Sequence, residues 1–525
     1  MFPSSHQCCL SYGLKWILCL GLLLIVMQLT DSCYGQESVR PNIVLIMADD
    51  LGFADLGCYG SEIDTPNLDQ LAKNGIQCTQ FYNTAKCHSS RVSLLTGLYC
   101  DQAGAESLER GTTIAKQLRD CGYFTAMVGK WHLEKQPTDQ GFNRYFGHLS
   151  GATNYFTGDN TFRLNGKEWN DFDENFYTTV RNADYAINFL DEAISSQQPF
   201  FLYAAFNAPH YPLQVLQKDF EKYRQRYQAG WDAIRARRFT KQSEMELFSP
   251  GTVTDLGRPD HVPAWESLTT EEQAWEADRM AAFAGMVDCL DREIGRMVTF
   301  LKSKGAWENT LLIFVSDNGA CPFERTKGRE FAPYDSRSYW TYDTGWAHVG
   351  NTPFRYYKQN NHEGGIASPA IFHWPKGISV PGTRVDTPAH LIDLMPTCLQ
   401  LGGGKYVSRS EKPNIEPLMG VSLAPLFSGQ DLKQREYLYF HFGSNRALRQ
   451  GDWKTVSFRS GPWELYEVST DRNEARNVAA EHPNLVKQMS DKWHQIAEEV
   501  DRLPAKQRGP VGPEPQGGPM QKNGK

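Results

Sequence analysis

Four stretches of the chain are apolar at nearly every position. They cover residues 43–47, 123–128, 199–205 and 311–315. An unbroken apolar run of this length, rich in β-branched and aromatic residues, predicts a strand buried on both faces. Each run is followed closely by polar residues: Asp49 and Asp50, Lys130 and His132, His210 just after Pro209, Asp317 and Asn318. Between the runs the apolar spacing turns helical. Residues 113–122 end on Gly122, and residues 283–305 end on Gly305, the residue that commonly closes a helix. Strand–helix alternation predicts an α/β fold with a large, mostly parallel sheet between helices. Ligands of such sheets sit beyond the carboxyl ends of the strands, so all four polar groups are expected at one edge.

The remaining pattern divides the chain further. Residues 214–280 are polar and rich in Trp, Arg and Glu, which predicts an inserted helical excursion. After about residue 405 the texture changes. EYLYFHF, ALRQGDWKTVSF and WELYEVS read as short antiparallel strands, and residues 482–503 as a closing amphipathic helix. A small α+β subdomain over 406–502 is therefore expected behind a catalytic domain over 36–405. From Pro504 onward, ten of 22 residues are Gly or Pro, so the 503–525 tail is expected to be disordered. At the other end, Lys15 precedes an apolar run over residues 16–29. That run is short for a membrane span and suits a signal peptide. The expectation is a leader over 1–35 and an exported mature chain, periplasmic or extracellular, without an integral span. Lipidation of Cys33 is disfavoured, because Asp31 and Ser32 before it make a poor lipidation signal.

With 525 residues, the chain is long enough for one large domain and a smaller one, or for two to three domains. A net charge of −7 argues against a nucleic-acid binder, which needs a basic face. Of twelve cysteines, those at 8, 9, 19 and 33 lie in the leader. The other eight (58, 78, 87, 100, 121, 289, 321 and 398) are scattered without a CxxC pair, which argues against a zinc site. One or two disulfides remain open in an exported protein.

Asp49, Asp50, Asp317 and Asn318 offer only oxygen, which suits a hard cation such as Ca²⁺ or Mg²⁺. Taken singly, Asp-Asp-Leu-Gly and Ser-Asp-Asn-Gly are also good turn sequences. Their recurrence at the ends of two buried strands strengthens the metal reading. Lys130, His132, His210 and Lys358 form a second group, fit to bind an anionic substrate and to move protons. Each alone also looks like a satisfied histidine or a solvated lysine. Cys87 stands in AKCHSSRVSLLTG, just before a helix-like run, where a helix N-terminus favours anions. A thiolate nucleophile fits that position, but a soft thiolate is a poor partner for a hard metal. The residues alone leave this conflict standing.

The chain resembles the type I sulfatases of the alkaline-phosphatase-like superfamily over most of its mature length. The family motif C-x-P-S-R-x-x-L-L-T-G is matched by CHSSRVSLLTG, and its cysteine is converted after translation to formylglycine. The resemblance implies that Cys87 becomes that nucleophile, with Arg91 supporting it. The IMADD, GKWH, APHYP, SDNG and K-x-x-x-x-EGG segments match in order, and AGWDAIRARRF looks like the arylsulfatase branch. Two positions depart from the pattern: Ser89 stands where the family has Pro or Ala, and Ala367 stands where many relatives carry Arg.

The resemblance further implies one Ca²⁺ held by Asp49, Asp50, Asp317, Asn318 and the modified Cys87. One hydroxyl of the hydrated aldehyde would attack sulfur, and Lys358 and His210 would stabilise and protonate the leaving oxygen. The second hydroxyl, deprotonated by His132, would then expel sulfate; a plain serine lacks it and would stall as a sulfate ester. Lys130 would hold nucleophile and sulfate, and Ser150 in GHLSG is a weaker candidate for sulfate contact. The implied activity is hydrolysis of sulfate monoesters, aryl or carbohydrate, after a maturation enzyme has acted on Cys87. Two rival readings are a phosphodiesterase or phosphonate monoester hydrolase of the same superfamily, and a catalytically silent carbohydrate-binding homologue.

Overall fold

The computed structural model describes residues 40–325, 328–407 and 409–502; the expected leader over 1–35 and tail over 503–525 lie outside them. The main sheet contains β1 (Asn42–Ala48), β2 (Ile76–Tyr82), β3 (Phe124–Gly129), β4 (Arg144–His148), β5 (Phe162–Leu164), β6 (Lys167–Glu168), β7 (Phe200–Ala205), β8 (Thr310–Ser316), β9 (Ala367–His373), β10 (Thr383–Val385) and β11 (Ala389–His390). Its order is β10-β2-β9-β8-β1-β7-β3-β4-β5-β6, with β11 also beside β2. The four apolar runs are the adjacent strands β8, β1, β7 and β3. They are mutually parallel, with Ile43 opposite Phe201 on one side and Leu311 on the other. Every residue of β3, β7 and β8 is buried, as is all of β1 except Asn42. Strand β9 runs antiparallel between β2 and β8, so the sheet is mixed and mostly parallel.

Alternate residues of β1 feed two cores, as the two-residue side-chain period requires. Val44 and Ile46 pack with the helices Thr178–Ser195 and Thr270–Ser303. Ile43, Leu45 and Met47 pack with residues of Cys87–Thr96, Ile114–Asp120 and Leu394–Gly402. The longest helix starts at Thr270, thirteen residues before the expected 283. The Thr269 side chain accepts the Glu272 N–H and Glu272 reaches back to Thr269, a capping box that marks the true start. The supposed excursion therefore ends at 269. It contains the helices Gln217–Tyr223 and Gly230–Glu244. The second of these reads as a polar surface helix but buries Arg235, Arg238 and Gln242. Arg238 is paired with Asp55 at 2.6 Å and with Glu62 at 2.8 Å.

The C-terminal pattern is a separate antiparallel sheet of β12 (Leu438–Phe442), β13 (Asn445–Gln450), β14 (Trp453–Ser457) and β15 (Trp463–Glu467), paired in chain order. The helix Pro483–Val500 covers it with Met489, Trp493, Ile496, Ala497 and Val500. The eight cysteines at 58, 78, 87, 100, 121, 289, 321 and 398 are all free thiols.

Candidate active site

The parallel strands end together, and the polar residues that follow them converge. Asp49 and Asp50 leave β1, Asp317 and Asn318 leave β8, Lys130 leaves β3, and His210 follows β7 by five residues; all are buried. The Asp50 N–H donates to Asp317 Oδ1 at 3.2 Å, and Asn318 Nδ2 donates to Asp50 Oδ1 at 2.7 Å. Lys130 pairs with Asp49, and Lys358 with Asp50. His210 Nε2 lies 3.5 Å from Asp50 Oδ2.

Beneath this cluster runs the helix Cys87–Thr96. Nine of its ten residues are buried, all but His88, which is why it shows no amphipathic stripe. Cys87 opens the helix. Ser90 Oγ donates to the Asp317 carbonyl at 2.6 Å, tying the helix to the end of β8. Arg91, fully buried, donates through Nη1 to the Lys130 carbonyl at 2.7 Å. Its Nη2 lies 3.3 Å from Asp49 Oδ2 and 3.4 Å from Asp317 Oδ2. Ser89 donates to the Lys86 carbonyl at 3.0 Å and accepts from Thr84 at 2.7 Å, so the residue that departs from the family pattern stays bonded into the turn.

Opposed charges decide the protonation states. Burial pushes the Asp49 carboxyl up, but Lys130, His210, Arg91 and Lys358 outweigh it and hold it well below the usual range. Asp50 is lowered against its own burial by Lys358 and His210. Asp317 goes the other way, raised well above its ordinary value by burial and by Asp49. Burial also raises the Cys87 thiol, but Lys130 and Lys358 bring it below the ordinary thiol value. Burial, aided by Lys130 and Arg91, pushes the His132 imidazole down to about 2. Burial, partly offset by Asp49, takes His210 to about 3. Both rings are neutral at physiological pH.

The donor set fits a hard cation. Asp49 Oδ1, Asp50 Oδ2 and Asn318 Oδ1 are buried without a hydrogen-bond partner, a costly arrangement unless something else satisfies them. Ligand atoms of Asp49, Asp50 and His210 lie within 4.8 Å of one another, and so do those of Asp49, Cys87 and Asp317. The backbone is held unusually here, with positive φ at Asp50 (67°), Ala85 (61°), His132 (57°) and Gln359 (70°); such conformations persist only where surrounding structure enforces them.

Ser150 does not join the cluster. Its hydroxyl donates to Asp159 Oδ2 at 2.8 Å and lies 3.0 Å from the Ala152 carbonyl. Sequence reasoning missed His88 and Glu106, whose polar atoms lie 3.4 Å apart beside the His132 ring. It also missed Phe442, from the second sheet, whose ring centroid is 6.2 Å from that of His88. His88 was visible as the neighbour of Cys87; nothing in the local sequence connects Phe442 to it.

The sulfatase family profile matches residues 41–404, the part of the chain that builds this cluster. The chain belongs to the sulfatase family. This sulfatase is a hydrolase of the sulfuric-ester class. A second profile, described as N-sulphoglucosamine sulphohydrolase C-terminal, matches residues 354–499. An uncharacterized sulfatase of Schizosaccharomyces pombe is 32% identical over 87% of this chain and 93% of its own. The arylsulfatase of Klebsiella aerogenes is 30% identical over 77% of this chain and 95% of its own. Among solved structures, Ps i-CgsB in complex with k-i-k-neocarrahexaose superposes with a TM-score of 0.65 and 27% identity, covering 89% of this sulfatase and 99% of that chain. Among the described residues, no helix of the sulfatase is long and apolar enough to cross a membrane.

Proposed function

We propose that this sulfatase is an exported enzyme that hydrolyses sulfate monoesters of carbohydrates or aryl alcohols with a formylglycine made from Cys87 and one Ca²⁺. The observation that carries the reading is the place of Cys87, at the start of a buried helix with its sulfur among the carboxylates of Asp49 and Asp317. Ps i-CgsB, which holds a neocarrahexaose and has this fold at 27% identity, supports a carbohydrate ester, and the arylsulfatase of Klebsiella aerogenes at 30% supports an aryl one. Asp49, Asp50, Asp317 and Asn318, with the modified Cys87, would hold the metal. When bound, a hard divalent cation draws charge from sulfate oxygens and favours a deprotonated nucleophile. Formylglycine supplies a hydrated aldehyde, with two hydroxyls where cysteine has one thiol.

The chain's own residues do the rest. Arg91 sits between Asp49 and Asp317 and fixes both carboxylates from below. Lys130 orients the nucleophile and a sulfate oxygen from the β3 side. Lys358 and His210 flank Asp50, where an ammonium and an imidazole N–H can stabilise and protonate a leaving oxygen. The neutral His132, whose Nδ1 has no hydrogen-bond partner, would be the acceptor for a proton of the hydrate. Ser150, bonded to Asp159, takes no part in this scheme. The segment over 36–405 is read as catalytic and 406–502 as a C-terminal subdomain.

The test is peptide mass spectrometry across residues 87–91 of protein made with sulfatase-maturation machinery, beside assays on sulfate esters. An aldehyde at position 87 with sulfate release supports the reading. An unmodified thiol in both wild type and Ser89→Pro removes the nucleophile and ends it.

A further inference from the structure

Lys358 lies in a segment outside any helix or strand. Residues 355–362 have no regular secondary structure, and Tyr356 and Gln359 have positive φ. On one side this segment meets the loops that follow β8 and β2: the Lys358 N–H donates to the Ala320 carbonyl at 3.1 Å and the Gln359 N–H to the Ala85 carbonyl at 2.7 Å. On the other side it is gripped by the four-stranded sheet. Asn445 Nδ2 donates to the Gln359 carbonyl, and Asn361 Nδ2 donates to the Asn445 carbonyl, each at 2.8 Å. His362 Nε2 meets Glu464 Oε2 at 2.8 Å. Arg355 Nη1 donates to the Glu474 carbonyl at 3.0 Å.

The grip ends in a buried charge cluster. Glu363 Oε1 accepts from Lys454 at 2.7 Å, its other oxygen pairs with Arg472, and its N–H donates to Glu474 Oε2 at 2.8 Å. Lys454 also meets Glu474 at 2.8 Å. Glu363, Lys454 and Glu474 are fully buried. Side chains or carbonyls at 355, 359, 361, 362 and 363 thus face the second sheet, while Lys358 reaches the other way to Asp50. The profile matching residues 354–499 spans this segment together with the sheet that grips it.

We propose that the C-terminal sheet, with the loop after it, is the positioning device for Lys358, acting through Asn445, Lys454 and Glu464 of the sheet and Glu474 of the loop. It is therefore part of what sets the rate on esters with poor leaving groups. Desolvated ion pairs suit this task because their loss is costly and their geometry is fixed. The inference rests on the reading of Lys358 as the cation beside the leaving oxygen, and the experiment separates the two.

Full-length, matured wild type, Lys454→Met, Lys454→Arg, Asn445→Ala and Lys358→Ala are compared on p-nitrophenyl sulfate and on a sugar sulfate. Hydrogen exchange is followed over peptides covering 355–363 and β1. A misplaced Lys358 should lower kcat on the sugar sulfate by about 10- to 100-fold in Lys454→Met and Asn445→Ala, the range expected for a small displacement of a catalytic group. The nitrophenyl ester should change little. Exchange over 355–363 should accelerate while β1 stays protected, and Lys454→Arg should recover most of both. Equal losses on the two esters, or unchanged exchange over 355–363, overturn the inference. If Lys454→Met does not fold, Asn445→Ala, which removes the bond to the Gln359 carbonyl and the one from the Arg459 N–H and leaves the ion pairs, decides alone. If Lys358→Ala itself slows both esters equally, the leaving-oxygen role of Lys358 falls, and the exchange measurement still decides whether the second sheet positions it.

Discussion

At the scale of single residues, the site is a problem of charge held out of water. Three cations, Arg91, Lys130 and Lys358, and the ring of His210 surround the carboxylates of Asp49, Asp50 and Asp317, and three carboxylate or amide oxygens have no hydrogen-bond partner. Chelation should therefore lower both activity and the thermal midpoint, and Ca²⁺ should restore both. At a hundredfold excess over Kd the gain is about 2.7 kcal/mol; thermal shift with and without chelator measures it, and no shift would remove the metal from the site. Lys130→Ala should lower kcat by about 10²–10³-fold, as loss of one preorganised group around a developing charge does. A near-normal kcat would move Lys130 out of the reaction. Asp49, Asp50, Lys130, His210, Asp317 and Asn318 were legible because each follows a buried apolar run within one to five positions, whereas Arg91 and Lys358 follow none. Glu363 was legible only as part of a motif, since its partners Lys454, Arg472 and Glu474 lie more than ninety residues away.

At the scale of elements, turns and short helices aim the side chains. The SDNG turn after β8 packs directly on the segment that carries Glu363: a Cβ at Gly319 would collide with the Gly364 carbonyl. Gly319→Ala should cost about 1–3 kcal/mol through overpacking, read by denaturant melts, with loss of activity beyond that cost because Asp317 and Asn318 move with the turn. A second device is the short turn Leu391–Asp393, where His390 Nδ1 accepts the Ile392 N–H. Burial, reinforced by Arg435, pushes the His390 imidazole down to about 3, against roughly 6.5 in an unfolded chain. The folded state disfavours the charged ring, so its stability is full above the unfolded value and falls as pH drops toward 3. The slope from this one ring is at most about 1.4 kcal/mol per pH unit. His390→Asn keeps an acceptor without the titration, and its stability should decline less steeply between those limits; an unchanged slope would assign the effect to other groups. The strands were readable from apolar runs to within about a residue at each end. The long helix was not, because its first thirteen residues carry Glu and Arg side chains amid alanines and mimic the polar segment before them.

At the scale of the whole molecule, the main sheet and the four-stranded sheet meet through buried charge as well as apolar contact. Tyr82 of β2 contacts Glu363 at 3.2 Å and accepts from Arg449 of β13 at 2.5 Å, beside Arg472 and Lys454. Removing one partner strands the others, at a cost of about 3–5 kcal/mol. Lys454→Ala should therefore lose stability in that range, and calorimetry of the wild type should show one transition for both sheets. Two separated transitions in the wild type would mean that the sheets unfold independently.

Taken alone, the sequence determined the elements and the chemistry at their ends. Apolar runs of five to seven residues have few alternatives to a buried strand, and parallel strands share one carboxyl edge, so Asp49, Asp50, Lys130, His210, Asp317 and Asn318 had to meet. Tertiary structure decided which side chains those residues answer to. Arg91 beneath the carboxylates, Phe442 beside His88, and the second sheet's hold on Lys358 join positions tens to hundreds of residues apart. No local periodicity records such contacts, because they exist only once packing has excluded water from between them.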